Sequence, residues 1–200
     1  MICLLLMHRS IGNQVGGEAD VLIIGAGIMG CVTAYHLARA GVETLVVERG
    51  EISREASGVN AGSLHFQLRW YDRPSPARLQ LVRASADQWR TIEAELGCDL
   101  GVRLGGGLVV AETSEEFERL GNKLGLEHSI GLRTEILSTR EMLKIAPHVS
   151  EDLVGACYCP EEGFCNALLV APAYARAAMR AGARIWTRCE VLGIDRQECA

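Results

Sequence analysis

Two hundred residues, 48% hydrophobic and 22% charged, exclude a disordered chain, a collagen-like repeat and a coiled coil. Aromatics at 5% and a net charge of −5 argue against a nucleic-acid partner, which calls for stacking platforms and a basic face. The length allows one large domain, or one domain with part of another.

Residues 1–18 read as an N-terminal tail before a domain that begins at Ala19, with Met7 as a second candidate start. The apolar run 2–7 is too short to span a bilayer. It also lacks the basic flank and cleavage site of a signal peptide, so no transmembrane segment and a cytoplasmic location are expected. Residues 20–25 form a continuous apolar run, which predicts a strand buried on both faces of a parallel sheet. A helix over 27–40, stopped by Gly41, and a second buried strand over 44–47, ending at Glu48, complete a β-turn-α-β unit.

The turn of that unit is Gly25-Ala26-Gly27-Ile28-Met29-Gly30, a GxGxxG motif. Its weight comes from context: a strand before, a helix after and an acid at the end of the next strand. Gly25 permits the tight turn, Gly27 lets a pyrophosphate approach the backbone, and Gly30 lets helix and strand pack closely. The amides at the helix start, Ile28 and Met29 among them, would face phosphates. Glu48 stands where a carboxylate accepts from both hydroxyls of an adenosine ribose, which disfavours a 2′-phosphate and hence NADP. Arg49 follows the acid directly and is counted with the cofactor-binding set.

A glycine- and serine-rich loop over 53–63 comes next, where a plain NAD-binding domain more often goes on to a third strand. Its small residues suit a backbone lying against a flat cofactor; the alternative is an ordinary surface turn. A helix is predicted over 75–96, with Pro76 in its first turn and Gly97 at its end. A strand over 102–111 is interrupted by Gly105, Gly106 and Gly107. A helix over 114–124 has Thr113 or Ser114 as cap, and Ser138 to Glu141 is a capping-box pattern before a short helix. A strand over 153–158, a helix over 168–181 stopped by Gly182, and short strands over 184–187 and 191–194 close the chain.

The eight cysteines include no CxxC pair. Cys157, Cys159 and Cys165 could hold a metal, but their spacing favours buried reduced thiols, and no metal is expected. His65 is the chemical side chain nearest the small-residue loop; a backbone-bonding role is preferred to a catalytic one. His8, His36, His128 and His148 read as structural or exposed, Trp89 as core, and Glu112 to Glu118 as a solvated helix face. No catalytic residue is assigned.

GAGIMG, VVERG and ASGVNAGSLH, with Gly155 to Tyr158, Glu162-Gly163 and Asn166 later, make the chain resemble the D-amino-acid-oxidase-like FAD-dependent oxidoreductases. The likeness is strongest over 20–65, where it leans to the opine-oxidase and D-amino-acid-dehydrogenase branch, with glycine oxidase another relative. It implies an α/β fold: a Rossmann-like FAD-binding domain with part of an α+β substrate domain. It implies FAD as cofactor, on Gly25, Gly27, Gly30 and Glu48, with Ser57, Asn60, Ala61 and Gly62 along pyrophosphate and flavin and Val191 at the adenine. Asn60 stands where some relatives carry a flavin-linking His, so a non-covalent flavin is expected.

By the same resemblance the reaction is oxidation of an amine or amino acid by hydride transfer to flavin. Residues 1–18 are then the tail, 19–100 the FAD-binding part, 101–182 a partial substrate domain and 183–200 strands returning to the FAD domain. Relatives are nearly twice as long, so a partial chain, completed by a C-terminal half or a partner subunit, is expected. The alternative is a non-catalytic dinucleotide-binding module or a degenerate subunit of a larger oxidase.

Overall fold

A computed structural model describes residues 2–9, 18–68 and 75–197, with backbone alone at 2–9 and 195–197. In chain order its elements are β1 (Ile2–Arg9), β2 (Val21–Ile24), α1 (Ile28–Arg39), β3 (Thr44–Val47), β4 (Ser63–Leu64), α2 (Pro76–Trp89), α3 (Ile92–Leu96) and β5 (Gly107–Ala111). Then follow α4 (Ser114–Ser129), β6 (Glu135–Ser138), α5 (Thr139–Ile145), β7 (Gly155–Cys159), β8 (Gly163–Phe164), α6 (Ala167–Arg180), β9 (Arg184–Trp186) and β10 (Cys189–Gln197). The chain divides into two units, 1–61 with 166–200, and 62–165.

In the first unit β2, β3 and β9 form a parallel sheet with β3 in the middle. All four β3 residues are buried, as the unbroken apolar run requires. Leu45 and Val47 join Cys189 in a core cluster covered by Leu22, Trp186 and Val191. α1 packs against α6. The buried faces of the two helices are built from small residues, Cys31, Ala34 and Ala38 on one and Ala171, Ala175 and Ala178 on the other. Between them the Tyr35 and Tyr174 rings meet edge-on, 5.4 Å apart.

Residues 2–9, expected within a tail, instead form a strand antiparallel to β10, Ile2 opposite Gln197 and Arg9 opposite Cys189. The run that is too short for a bilayer is long enough for a strand. Its partner lies at the other end of the chain.

In the second unit β7 is the centre of an antiparallel sheet, between β5 and β6. Helix α4 covers it: Leu120, Phe117 and Leu124 pack with Ala111, Cys157, Val109 and Ile136. Both predicted capping boxes form, Thr113 with Glu116 at α4 and Ser138 with Glu141 at α5. A second, two-stranded ribbon pairs β4 with β8.

Other elements differ from the sequence expectation. The helix over 75–96 is two helices, because the chain turns at Arg90 and Thr91 before Ile92 and Leu96 return to the core. The strand over 102–111 starts only at Gly107. A Cβ at Gly106 would stand 2.3 Å from the Tyr158 ring, and one at Gly107, the first residue of β5, would stand 2.2 Å from Glu162 Oε2, so both glycines make room for side chains. Finally, α2 lies in the unit 62–165, not with the dinucleotide turn. Arg83 on α2 and Arg90 just after it bind the buried carboxylate of Glu161, which ties the helix there.

Candidate cofactor site

The site is built at the C-terminal end of β2. Gly25 has φ +101°, a left-handed conformation that a side chain rarely adopts, and its amide donates to Val47 O at 2.8 Å. The chain can therefore turn directly from strand to helix. Gly27 is the N-cap of α1, in extended conformation, and offers no side-chain cap. Gly30 sits against the turn itself, since a Cβ there would be 2.0 Å from Gly25 O. The first-turn amides of an α-helix have no intrahelical acceptor. Ile28 finds one in Ser57 Oγ at 3.0 Å, and the same hydroxyl would meet a Cβ at Gly27 at 3.0 Å. Met29, on this first turn, is 78% exposed.

Glu48 locks the turn from the next strand. Its Oε2 accepts from the Ala26 amide at 2.9 Å and its Oε1 from the Gly50 amide at 2.7 Å. Its own amide donates to Trp186 O at 2.8 Å, and its carbonyl accepts from Cys189 at 2.9 Å. A carboxylate has about four lone-pair directions, so each oxygen keeps one for a further donor. The buried Cys31 thiol donates to Ala26 O at 3.4 Å; burial, then the Glu48 charge, push its pKa up to about 11.

The loop after Glu48 closes on the same turn. Ser53 donates from its amide to Ala26 O at 3.1 Å and has φ 62°. Its hydroxyl is buried with no partner among the described residues, a feature the sequence did not signal. Arg49 is exposed and 3.6 Å from Glu55. Asn60 donates to Ala56 O at 3.2 Å and Ser57 O at 2.9 Å, so it folds the loop onto itself. Ala61 is exposed at the end of this unit.

Hydrogen bonds thus tie Gly25 to β3, Ala26 to Glu48 and Ile28 to Ser57 in one cluster around the glycine turn. Gly62 is different: it opens the second unit, where its carbonyl accepts from the Cys165 amide at 2.9 Å. Val191 packs on the Leu45, Val47 and Cys189 cluster.

The remaining candidates scatter. His36 is exposed beside Tyr35, His148 is exposed, and His128 Nε2 lies 2.7 Å from Thr134 O. His65 makes no backbone hydrogen bond among the described residues; its Nδ1 is 3.8 Å from Glu162 Oε2. The side chains of Cys3 and His8, and Cys199 altogether, lie outside the described residues. Cys157, Cys159 and Cys165 are buried free thiols, and burial pushes the first two up to about 11. No group of three metal-ligating side chains occurs among the described residues.

Sequence reasoning missed a set of buried charges in the second unit. Glu161 binds Arg83 at 2.9 Å, Arg90 and the Arg133 amide at 3.0 Å. Burial opposes its ionisation, yet these donors hold its pKa below the usual carboxylate range. Glu127 and Lys123 pair at 2.7 Å inside the unit. Glu162 is 1% exposed. The one available signal was i, i+4 spacing of Lys123 and Glu127 on the face that carries Leu120 and Leu124.

A strand, a glycine turn at a helix N-terminus, and an acid at the end of the next strand define a dinucleotide-binding βαβ unit. Residues 20–200 match the family of FAD dependent oxidoreductases, and the chain belongs to that family. It is 30% identical to mouse mitochondrial sarcosine dehydrogenase over 179 residues, 88% of this chain and 19% of the relative. It is 31% identical to an opine oxidase subunit of Rhizobium meliloti over 177 residues, 83% of this chain and 46% of the relative. The crystal structure of glycine oxidase from Geobacillus kaustophilus superposes with a TM-score of 0.76 at 30% identity, covering 85% of this chain and 46% of that one. The fold is therefore the Rossmann-like FAD-binding fold, and FAD is the cofactor of the family. The chain spans about half the length of these relatives, or less. No helix among the described residues is long and apolar enough to cross a membrane.

Proposed function

We propose that this chain forms the cofactor-holding part of a flavin-dependent oxidoreductase acting on the C–N bond of an amine or amino acid. Gly25, Gly27, Ile28, Met29 and Gly30 take the FAD pyrophosphate, Glu48 the adenosine ribose, with Arg49 beside it. Ser57, Asn60, Ala61 and Gly62 line pyrophosphate and flavin, and Val191 the adenine. The observation that carries the reading is the Glu48 carboxylate, fixed by two backbone amides at the mouth of the glycine turn. It is preorganised and still has acceptor capacity for two ribose hydroxyls.

The turn fits the group. First-turn amides and the helix dipole offer an anion site, in which the Ile28 amide is shared with Ser57 Oγ and Gly27 adds no side chain of its own. FAD held at this turn would supply a hydride acceptor for oxidation of a C–N bond to an imine. This chain's residues bind and orient the cofactor. Residues 62–165 contribute to the substrate side, completed by a C-terminal half or a partner subunit; one relative carries the name of a subunit. A cytoplasmic location accords with the buried free thiols.

The test is equilibrium titration of the apo-protein with FAD and with FMN. FAD should bind at least about tenfold more tightly, a difference of 1.4 kcal/mol or more, because only FAD carries the adenosine that Glu48 recognises. Equal affinities would remove Glu48 from the site.

A further inference from the structure

The small-residue loop after Glu48 reaches back over the glycine turn. Ser57 Oγ accepts from the Ile28 amide at 3.0 Å, across 29 positions of sequence. A Cβ at Gly27 would stand 3.0 Å from the same oxygen. The hydroxyl therefore lies in the space that the missing side chain of a dinucleotide turn keeps for a pyrophosphate. An amide carries one proton to donate. Ser57 and a phosphate oxygen thus require the same donor and the same volume.

The segment 53–60 is bonded to itself as well as to the turn. The Gly58 amide donates to Glu55 O at 2.8 Å, and Asn60 Nδ2 donates to Ala56 O and Ser57 O. A Cβ at Gly58 would stand 1.9 Å from Ser53 O, so the loop doubles back with no room for a side chain there. Ala56, Val59 and Asn60 are exposed. Such a segment can shift as one piece once its bonds to the turn break. Ser53, at its base, is costly in the closed form. Its φ of 62° is left-handed, a strained conformation for a residue with a side chain. Its hydroxyl is buried with no partner among the described residues, and an unpaired buried hydroxyl keeps its desolvation penalty. Opening lets that hydroxyl reach water. The closed loop therefore combines a neutral hydrogen bond at Ser57 with a cost at Ser53 that opening relieves.

We propose that residues 53–60 form a displaceable strap over the phosphate site. Ser57 competes with the FAD pyrophosphate for the first turn of α1, and FAD binds by pushing it aside. A phosphate oxygen wins the amide because its hydrogen bond is charge-assisted, whereas the hydroxyl is neutral. The strap regulates cofactor affinity, since binding is weakened by the fraction of chains in which it is closed. Both partners, the strap and the glycine turn, belong to the unit 1–61 with 166–200. The inference rests on the reading that the glycine turn takes FAD.

The test compares the 200-residue chain with Ser57→Ala by NMR and by FAD titration. Without FAD, the Ile28 amide should exchange about two- to tenfold faster in the variant, the range of one neutral hydrogen bond. FAD should bind the variant more tightly by about the same factor, because no hydroxyl has to leave the amide. In the parent chain the nuclear Overhauser contact between the Ile28 amide proton and the Ser57 β-protons should be present without FAD and lost in the complex. Its absence from the free chain, or its persistence in the complex, overturns the proposal whether or not the variant folds. An unchanged Ile28 exchange rate overturns it too, as does FAD affinity that is unchanged or lowered in Ser57→Ala. FAD binding to neither chain refutes the cofactor reading and the strap with it, whereas equal binding to both refutes the strap alone.

Discussion

Glu48→Ala separates the structural role of one carboxylate from the ribose contact proposed for it. In the structure Glu48 accepts from the amide of Ala26, a residue with 0% exposure, and from the half-buried Gly50 amide. The variant leaves the first donor buried without a partner, which costs about 1–3 kcal/mol, and the second loses a bond worth ~0.5–1.5 kcal/mol. Together these come to about 1.5–4.5 kcal/mol, which lowers the melting temperature of a chain this size by about 3–18 °C. That loss should be present in the apo-protein, because both bonds are made without ligand. FAD affinity should fall by at least about tenfold as well. The assay is thermal unfolding of both apo-proteins followed by FAD titration at a temperature where both are folded. An unchanged apo melting temperature would show that Glu48 does not lock the turn; a lowered one with unchanged FAD affinity would refute the ribose contact.

Other substitutions and conditions probe the remaining structure. Gly30→Ala places a Cβ 2.0 Å from Gly25 O, backbone that cannot rotate away; we expect overpacking of about 1–3 kcal/mol and loss of FAD binding, read by calorimetry. Lys123→Ala leaves Glu127 charged and buried without its cation, so stability to urea should fall by ~3–5 kcal/mol; a change within 0.5 kcal/mol, about the scatter of a neutral surface substitution, would show that the pair is dispensable. The folded pKa of Glu161 is depressed, so its contribution is present above its unfolded pKa and lost as pH falls through the folded value. Glu161→Gln should therefore flatten the decline of stability below about pH 5, and an unchanged acid limb would contradict that assignment. Cys157 and Cys159, buried and raised to about 11, should resist a thiol reagent at neutral pH until the chain unfolds.

The parts legible in the sequence are those with local causes. The GAGIMG turn needed only a strand, three glycines and a helix within one stretch. The capping boxes at Thr113 and Ser138 are read from residues three positions apart. What the sequence hid was long-range. The strand at Ile2–Arg9 pairs with the far end of the chain, which no local pattern announces. The turn at Arg90 and Thr91 interrupts a helix whose periodicity continues through it, and Arg90 binds Glu161, 71 residues on. Glu162 belongs to the loop segment at His65 through bonds spanning 95 and 96 positions. In the candidate cofactor site the glycines and the acid were legible. The capture of two backbone amides by Glu48 and the buried Ser53 hydroxyl were not.

If the glycine turn holds FAD, Gly27→Val abolishes its binding. A Cβ at Gly27 already stands 3.0 Å from Ser57 Oγ, and the two methyls of valine would fill the approach to the first-turn amides. The measurement is the flavin absorbance that co-elutes with protein after reconstitution with FAD and gel filtration, with far-ultraviolet circular dichroism as the control for folding. Retained flavin is expected in the parent chain and none in a variant of unchanged dichroism. Equal flavin retention in the two would contradict it.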